Sequence, residues 1–233
     1  MTVLDGIRQK VSKETRVLYA KGCAVRDSSR TGFKDAIETA RNADAVVMVM
    51  GGSSARDFSS EYEETGAAKV TINQISDMES GEGYDRATLH LMGRQLELLE
   101  EISRLGKPVV LVLIKGRPLL MEGAIQEAEA IVDAWYPGMQ GGNAVADVLF
   151  GDYNPAGRLT LSVPRSVGQL PVYYNTRRKG NRSRYIEEPG TPRYPFGYGL
   201  SYTTFSYTDM KVQVTEGSDD CRVDVTVTIQ NQG

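Results

Sequence analysis

Apolar runs of strand length alternate with stretches of helical spacing through the first two-thirds of the chain. Residues 15–20 (TRVLYA) are predicted as a strand. Residues 32–43 then have helical periodicity, with Phe33, Ala36, Ile37 and Ala40 on one face. Residues 45–50 (AVVMVM) form a continuous apolar run ended by Gly51-Gly52, the pattern of a strand buried on both faces. The longest helix candidate is 89–105, where Leu91, Leu96, Leu98, Leu99 and Ile102 make a broad apolar stripe and Gly106 stands just beyond. Residues 108–114 (PVVLVLI) predict a second buried strand, closed by Lys115-Gly116. Pro118 opens a short helical stretch to about Glu127, and 130–135 is the next strand, stopped by Pro137-Gly138. A helix over 140–150, a turn at 151–155 and an alternating edge strand at 159–163 complete the series. Strands alternating with helices point to an α/β fold with a mostly parallel sheet.

After Pro164 the pattern breaks. Residues 169–198 are rich in Pro, Gly, Tyr and Arg and follow neither period. So long an irregular stretch is unusual in a compact domain unless it lies against another body. From Phe205 alternation returns, and 222–229 (RVDVTVTI) carry Val at every second position. The pattern stops at Gly233, and two strands cannot close a β-sandwich, so the end of the chain is expected to fall inside a domain. The expected division is 1–165, an α/β domain; 166–204, an irregular wrapping segment; and 205–233, partial β strands.

Composition removes several classes of function. The 233 residues carry a net charge of −3 with both signs interspersed, which leaves no footprint for nucleic acid. No apolar run approaches the ~20 residues of a membrane span. The opening Met1-Thr2-Val3-Leu4-Asp5-Gly6 lacks the basic and hydrophobic regions of a secretory signal. Cys23 and Cys221 lie far apart and are read as free or buried thiols, not as a zinc site or a disulfide framework. His90, the single histidine, is read as a helix residue. No metal and no cofactor is expected.

Candidate chemistry gathers in the two long loops that follow 45–50, because ligands collect at the carboxyl ends of parallel strands. Those loops hold Ser53, Ser54, Arg56, Asp57, Glu61, Glu63, Glu64, Glu79, Glu82, Asp85 and Arg86. Most are read as solvated loop charge. Glu82 differs, since Gly81 and Gly83 flank it and permit a bend that presents its carboxyl at a loop tip. Tyr84 and Arg86 could supply the wall and the charge that tune it. Gly51-Gly52-Ser53-Ser54 lacks the GxGxxG pattern and the Walker lysine, which argues against a nucleotide-binding, flavodoxin-like domain. The GMQGG run at 138–142 is read as a tight strand-to-helix turn in preference to an anion site.

Several segments, taken in order, carry a resemblance. They are Tyr19-Ala20-Lys21-Gly22-Cys23, Gly106-Lys107-Pro108-Val109-Val110, Gly116-Arg117-Pro118, the run from Ala134 through Trp135 to Gly138, the run from Gly141 to Leu159, and Tyr194-Pro195-Phe196-Gly197-Tyr198-Gly199-Leu200-Ser201-Tyr202-Thr203. Together they resemble the C-terminal half of glycoside hydrolase family 3, the β-glucosidase and β-xylosidase family. The resemblance implies a three-layer α/β sandwich followed by the truncated start of a fibronectin III-like domain. It also implies an N-terminal barrel as a partner and a β-linked oligosaccharide or glycoside as substrate, with Ser54, Arg56 and Tyr84 as candidate substrate contacts beside Ser53 and Asp57 on the cleft rim and a solvated loop as the competing reading.

Retaining hydrolysis in that family uses two carboxyl groups about 5–5.5 Å apart. The nucleophile is an Asp on the barrel, and the acid/base is a Glu on a loop of the sandwich domain, often within S-G-E-G-Y. Ser80-Gly81-Glu82-Gly83-Tyr84 matches that sequence, so the resemblance assigns the acid/base to Glu82, with Glu79 and Glu64 as runners-up. An acid must hold its proton near neutral pH, through burial or a neighbouring carboxylate. Without the barrel both influences are absent, so this chain by itself is expected not to hydrolyse glycosides. A non-catalytic scaffold and substrate-rim domain is the alternative. Proteins of this kind are usually periplasmic or secreted.

Overall fold

The computed structural model describes residues 1–54, 63–66, 77–81, 84–120, 122–175, 185–217 and 220–233. Three parallel strands form its central sheet: β1 (Val46–Gly51), β2 (Val109–Ile114) and β3 (Ala130–Asp133), in the order β1-β2-β3. Helices α1 (Val3–Lys10), α2 (Phe33–Arg41), α3 (Gln95–Ser103), α4 (Glu122–Glu127) and α5 (Gly141–Leu149) complete the α/β part.

Strand alternation divides the core between two faces. Val109, Leu111 and Leu113 of β2, with Met48 and Met50 of β1, pack against Phe33, Ala36, Leu98, Leu99 and Ile102 of α2 and α3. Val112 points the other way, into Val3 and Ile7 of α1 and Val145 and Leu149 of α5. Helix, sheet and helix therefore make three layers, as the resemblance implied.

β2 is buried on both faces, but β1 is not. Val47 and Val49, which pair with Val110 and Val112, are 38% and 49% exposed because α1 and α5 cover β2 and β3 and leave this part of β1 bare. The expectation of a doubly buried β1 is corrected to a strand covered on one face. Residues 15–20 form no strand; Ala20 packs on the core without joining a ladder. The helix expected from residue 89 starts only at Gln95. Gly93 has φ +61°, and a Cβ there would sit 2.7 Å from the Asp27 carbonyl oxygen, so the preceding turns lie as loop along the sheet. His90 thus lies in that loop, exposed, and is not a helix residue.

α1, which the hydrophobic pattern left unmarked, is closed by a capping box. Thr2 Oγ1 accepts from Asp5 N at 3.1 Å, and the Asp5 carboxylate accepts from Thr2 N at 3.0 Å. Glycines let α1 and α5 cross closely. A Cβ on Gly6 would lie 2.1 Å from the Gly142 carbonyl oxygen, and one on Gly142 would lie 2.0 Å from that of Thr2. The GMQGG run is therefore a turn and helix crossing, with Gly138 at φ +73°. Lys10 fastens the pair by reaching Asp147 at 2.5 Å, and Asp152.

The expected edge strand at 159–163 is a bridge. Val163 pairs antiparallel with Tyr194, and Leu159 exchanges backbone hydrogen bonds with Gly197 and Tyr198. The irregular segment thus folds back on the α/β body through its described residues. Buried Gln169 holds it by accepting from Arg165 N and donating to the Pro189 carbonyl.

The last residues form an antiparallel hairpin of β4 (Phe205–Glu216) and β5 (Cys221–Asn231). A bulge between Thr208 and Lys211, with Asp209 at φ +53°, adds one residue to β4. That extra residue keeps Phe205, Tyr207, Val212 and Val214 on the same face as Val223, Val225, Val227 and Ile229. All eight are exposed.

Candidate active site

The carboxyl ends of the three strands converge on one edge. At the end of β1, Gly51 N–H donates to Gln95 Oε1 at 2.8 Å, and Gln95 Nε2 donates to the Gly51 carbonyl at 2.9 Å. This buried amide pins the strand end to the start of α3. Gly51 has φ +136°, and a Cβ there would lie 1.9 Å from the Ile114 carbonyl oxygen. A Cβ on Gly52 would lie 2.0 Å from Glu79 Oε1. The two glycines are required because β2 and the Glu79 side chain occupy the space.

Beyond them the chain pairs with the loop singled out in the sequence. Ser53 bridges Met78 in parallel fashion, and its carbonyl accepts from Glu79 N at 2.8 Å and Ser80 N at 3.3 Å. Glu79 points inward. Its side chain is 1% exposed, with Oε2 accepting from Arg86 Nη1 at 2.6 Å and standing 3.8 Å from Arg117 Nε. Arg86 also donates to the His90 carbonyl. Ser80 is buried as well, its hydroxyl 2.9 Å from that of Tyr136. Tyr84 N–H donates to the Gly81 carbonyl at 3.2 Å.

β2 and β3 supply a second cluster at the same edge. Lys115, 1% exposed, stands 2.9 Å from Asp133 Oδ1 with Nζ 3.8 Å above the Trp135 ring. Burial pushes its pKa below the ordinary 10.5, partly opposed by Asp133. Trp135 follows with φ +52°, a backbone conformation costly for a bulky residue. Gly116 lies flat against Tyr136; a Cβ there would be 2.6 Å from its ring and 3.0 Å from Ser80 Oγ.

The sequence-based candidates separate as follows. Ser54 is exposed just past the Ser53 bridge, and Tyr84 is half-buried at the loop's outgoing stem. Glu64 lies in an exposed turn at 63–66, closed by Gly66 N–H on the Glu63 carbonyl. Glu82 and Arg56 lie outside the described residues. Gln95, Lys115, Arg117, Asp133 and Tyr136 were not among the candidates, because their partners are 33 to 56 residues away or across neighbouring strands. Among the described residues, no group of three His, Cys, Asp or Glu could hold a metal ion, and no helix is long and apolar enough to cross a membrane.

A three-layer α/β domain whose polar residues converge at the sheet's carboxyl edge is the architectural class. The chain belongs to the family of the glycosyl hydrolase family 3 C-terminal domain, which it matches over residues 1–202. Among curated relatives, a beta-xylosidase of Formosa agariphila is 42% identical over all of this chain and 30% of its own length. A periplasmic beta-glucosidase of Salmonella typhimurium is 37% identical over all of this chain and 31% of its own. The chain thus spans under a third of those relatives. Among solved structures, a beta-glucosidase from Erythrobacter marinus superposes with a TM-score of 0.79 at 35% identity, covering 99% of this chain and 32% of that one. A Listeria innocua beta-glucosidase in complex with isofagomine gives 0.74 at 30% identity, over 99% and 30%.

Proposed function

We propose that this chain is the part of a retaining β-glycosidase that supplies the general acid/base, Glu82, to a cleft completed by an N-terminal barrel bearing an Asp nucleophile. The observation that carries the reading is the commitment of Glu79. Its buried carboxylate is paired with Arg86 and flanked by Arg117, an arrangement that fastens the incoming stem of the loop. The match of Ser80-Gly81-Glu82-Gly83-Tyr84 to the family's S-G-E-G-Y sequence favours Glu82 over Glu79 and Glu64, and the stems of that span rise from the carboxyl edge of the sheet. Ser54 and Tyr84 flank the same edge and serve as substrate rim, together with Arg56. The names of the relatives support a β-linked glucoside or xyloside as substrate. The Salmonella relative's name supports a periplasmic or secreted location.

In the first half-reaction Glu82 donates its proton to the glycosidic oxygen as the barrel carboxylate attacks the anomeric carbon. In the second, Glu82 as carboxylate takes a proton from the incoming water as its oxygen attacks the anomeric carbon and the bond to the barrel carboxylate breaks. The proposed division is an α/β sandwich at 1–165, a wrapping segment at 166–204 and fibronectin III-like strands at 205–233. The bare apolar face of the β4–β5 hairpin supports the last.

Replacing Glu82 by Gln in the full-length polypeptide tests the assignment. Activity on phenyl glycosides with poor leaving groups is expected to fall by roughly 10²–10⁴. On dinitrophenyl glycosides kcat/KM should largely survive while kcat falls, because deglycosylation loses its base, and azide should restore kcat with a glycosyl azide as product. An unchanged leaving-group profile refutes the acid/base role and favours a scaffold domain.

A further inference from the structure

Arg117 lies outside the loop that carries Glu82, on the turn directly after β2. One nitrogen of its guanidinium, Nη2, stands 3.0 Å from the Glu79 carbonyl oxygen and 3.0 Å from that of Tyr84. Those carbonyls belong to the incoming and outgoing stems of the span that contains Glu82. A terminal guanidinium nitrogen carries two hydrogens, so one can go to each carbonyl. We propose that Arg117 is a positioning residue for the glycosidase reaction, a clasp across both stems that sets where Glu82 is presented to the glycosidic oxygen. This inference rests on the reading of Glu82 as the acid/base.

The clasp has a rigid mount. β2 is the central strand of the sheet, Val109, Leu111, Val112 and Leu113 within it are fully buried, and Arg117 stands three residues past its end. The guanidinium plane is also held electrostatically, with Nε 3.8 Å from Glu79 Oε2. Arg86 grips the same carboxylate from the other side, so the incoming stem is fixed by side chain and by backbone together. A lysine ammonium is a single donor centre on a shorter stem, so it cannot hold the two carbonyls met by Nη2 and also stand beside the Glu79 carboxylate as Nε does. Proton transfer is steep in distance, and a misplacement of about 1 Å can cost on the order of 10²-fold.

The test compares Arg117→Lys, Arg117→Met and Glu82→Gln with the unsubstituted full-length polypeptide, on a phenyl and a dinitrophenyl β-glycoside. For Arg117→Lys, kcat/KM on the phenyl glycoside is expected to fall about 10- to 100-fold. The loss on the phenyl substrate should lie in kcat more than in KM, with little change in kcat/KM on the dinitrophenyl substrate and a displaced limb of the pH profile. Arg117→Met should show a larger loss of the same kind; if it fails to fold, Arg117→Lys decides alone. Equal losses on both substrates, or a lowered unfolding midpoint with an unchanged leaving-group profile, would overturn the clasp. If Glu82→Gln shows leaving-group dependence and Arg117→Lys does not, only this inference falls. If Glu82→Gln shows none, the acid/base reading falls and the clasp with it.

Discussion

Lys115 shows how a single side chain can be costly and still be retained. Its ammonium is buried beneath Trp135 and beside Asp133, and its pKa is lowered chiefly by desolvation. Between that lowered folded value and the ordinary 10.5, the unfolded chain binds the proton more tightly than the folded one. Stability therefore rises with pH across this window. Lys115→Met removes the contribution, so urea unfolding from pH 7 to 10 should show the unsubstituted chain gaining stability relative to the variant as pH rises. Parallel curves would refute the burial account. The sequence marked Lys115 only as the stop of a strand, because Asp133 closes the next strand and Trp135 lies two residues beyond it. The same holds for Glu79. Its partner Arg86 is seven residues away and could be guessed, but Arg117 reaches it across 38 residues.

Elements were legible where periodicity was strong and local. α2, α5, β2 and β3 fall within a few residues of the hydrophobic pattern. α1 escaped the pattern because only Val3, Leu4 and Ile7 are apolar among its eight residues, although the Thr2/Asp5 capping box stood in the sequence. α3 was drawn too long because Leu89 and Leu91 fit a helical stripe, whereas Gly93 turns the chain and Leu120 N–H takes the Leu89 carbonyl. At this scale the crossing of α1 and α5 is the feature most exposed to change. Gly142→Ala would press a methyl into the Thr2 carbonyl, which lies 2.0 Å from the added carbon. The expected cost is about 1–3 kcal/mol, read as a lower urea midpoint with an unchanged slope. A neutral result would mean that α1 can slide away from α5 without penalty.

At the scale of the whole molecule, family membership and architecture were legible because the motifs are contiguous and the structure joins them. The Gly151-Asp152-Tyr153-Asn154-Pro155 turn meets the Gly199-Leu200-Ser201-Tyr202-Thr203 segment through Asn154 on Thr203 and Tyr202 N–H, and Ser201 on the Pro155 carbonyl. The bare face of β1 was not legible, since a strand's sequence does not record which helices fail to cover it. Retaining hydrolysis needs two opposed carboxyl groups, and this chain spans about 30% of its relatives' length. The purified chain is therefore expected to release no nitrophenol from nitrophenyl β-glycosides above the spontaneous rate. Catalysis matching a full-length relative would place the whole machinery within these residues. The bulge in β4 carries a practical consequence. By holding eight apolar side chains on one uncovered side of a two-stranded ribbon, it makes the chain adhesive. Concentrated alone, copies would bury these sides against one another, so colloidal behaviour, more than folding, would limit how the isolated polypeptide can be handled.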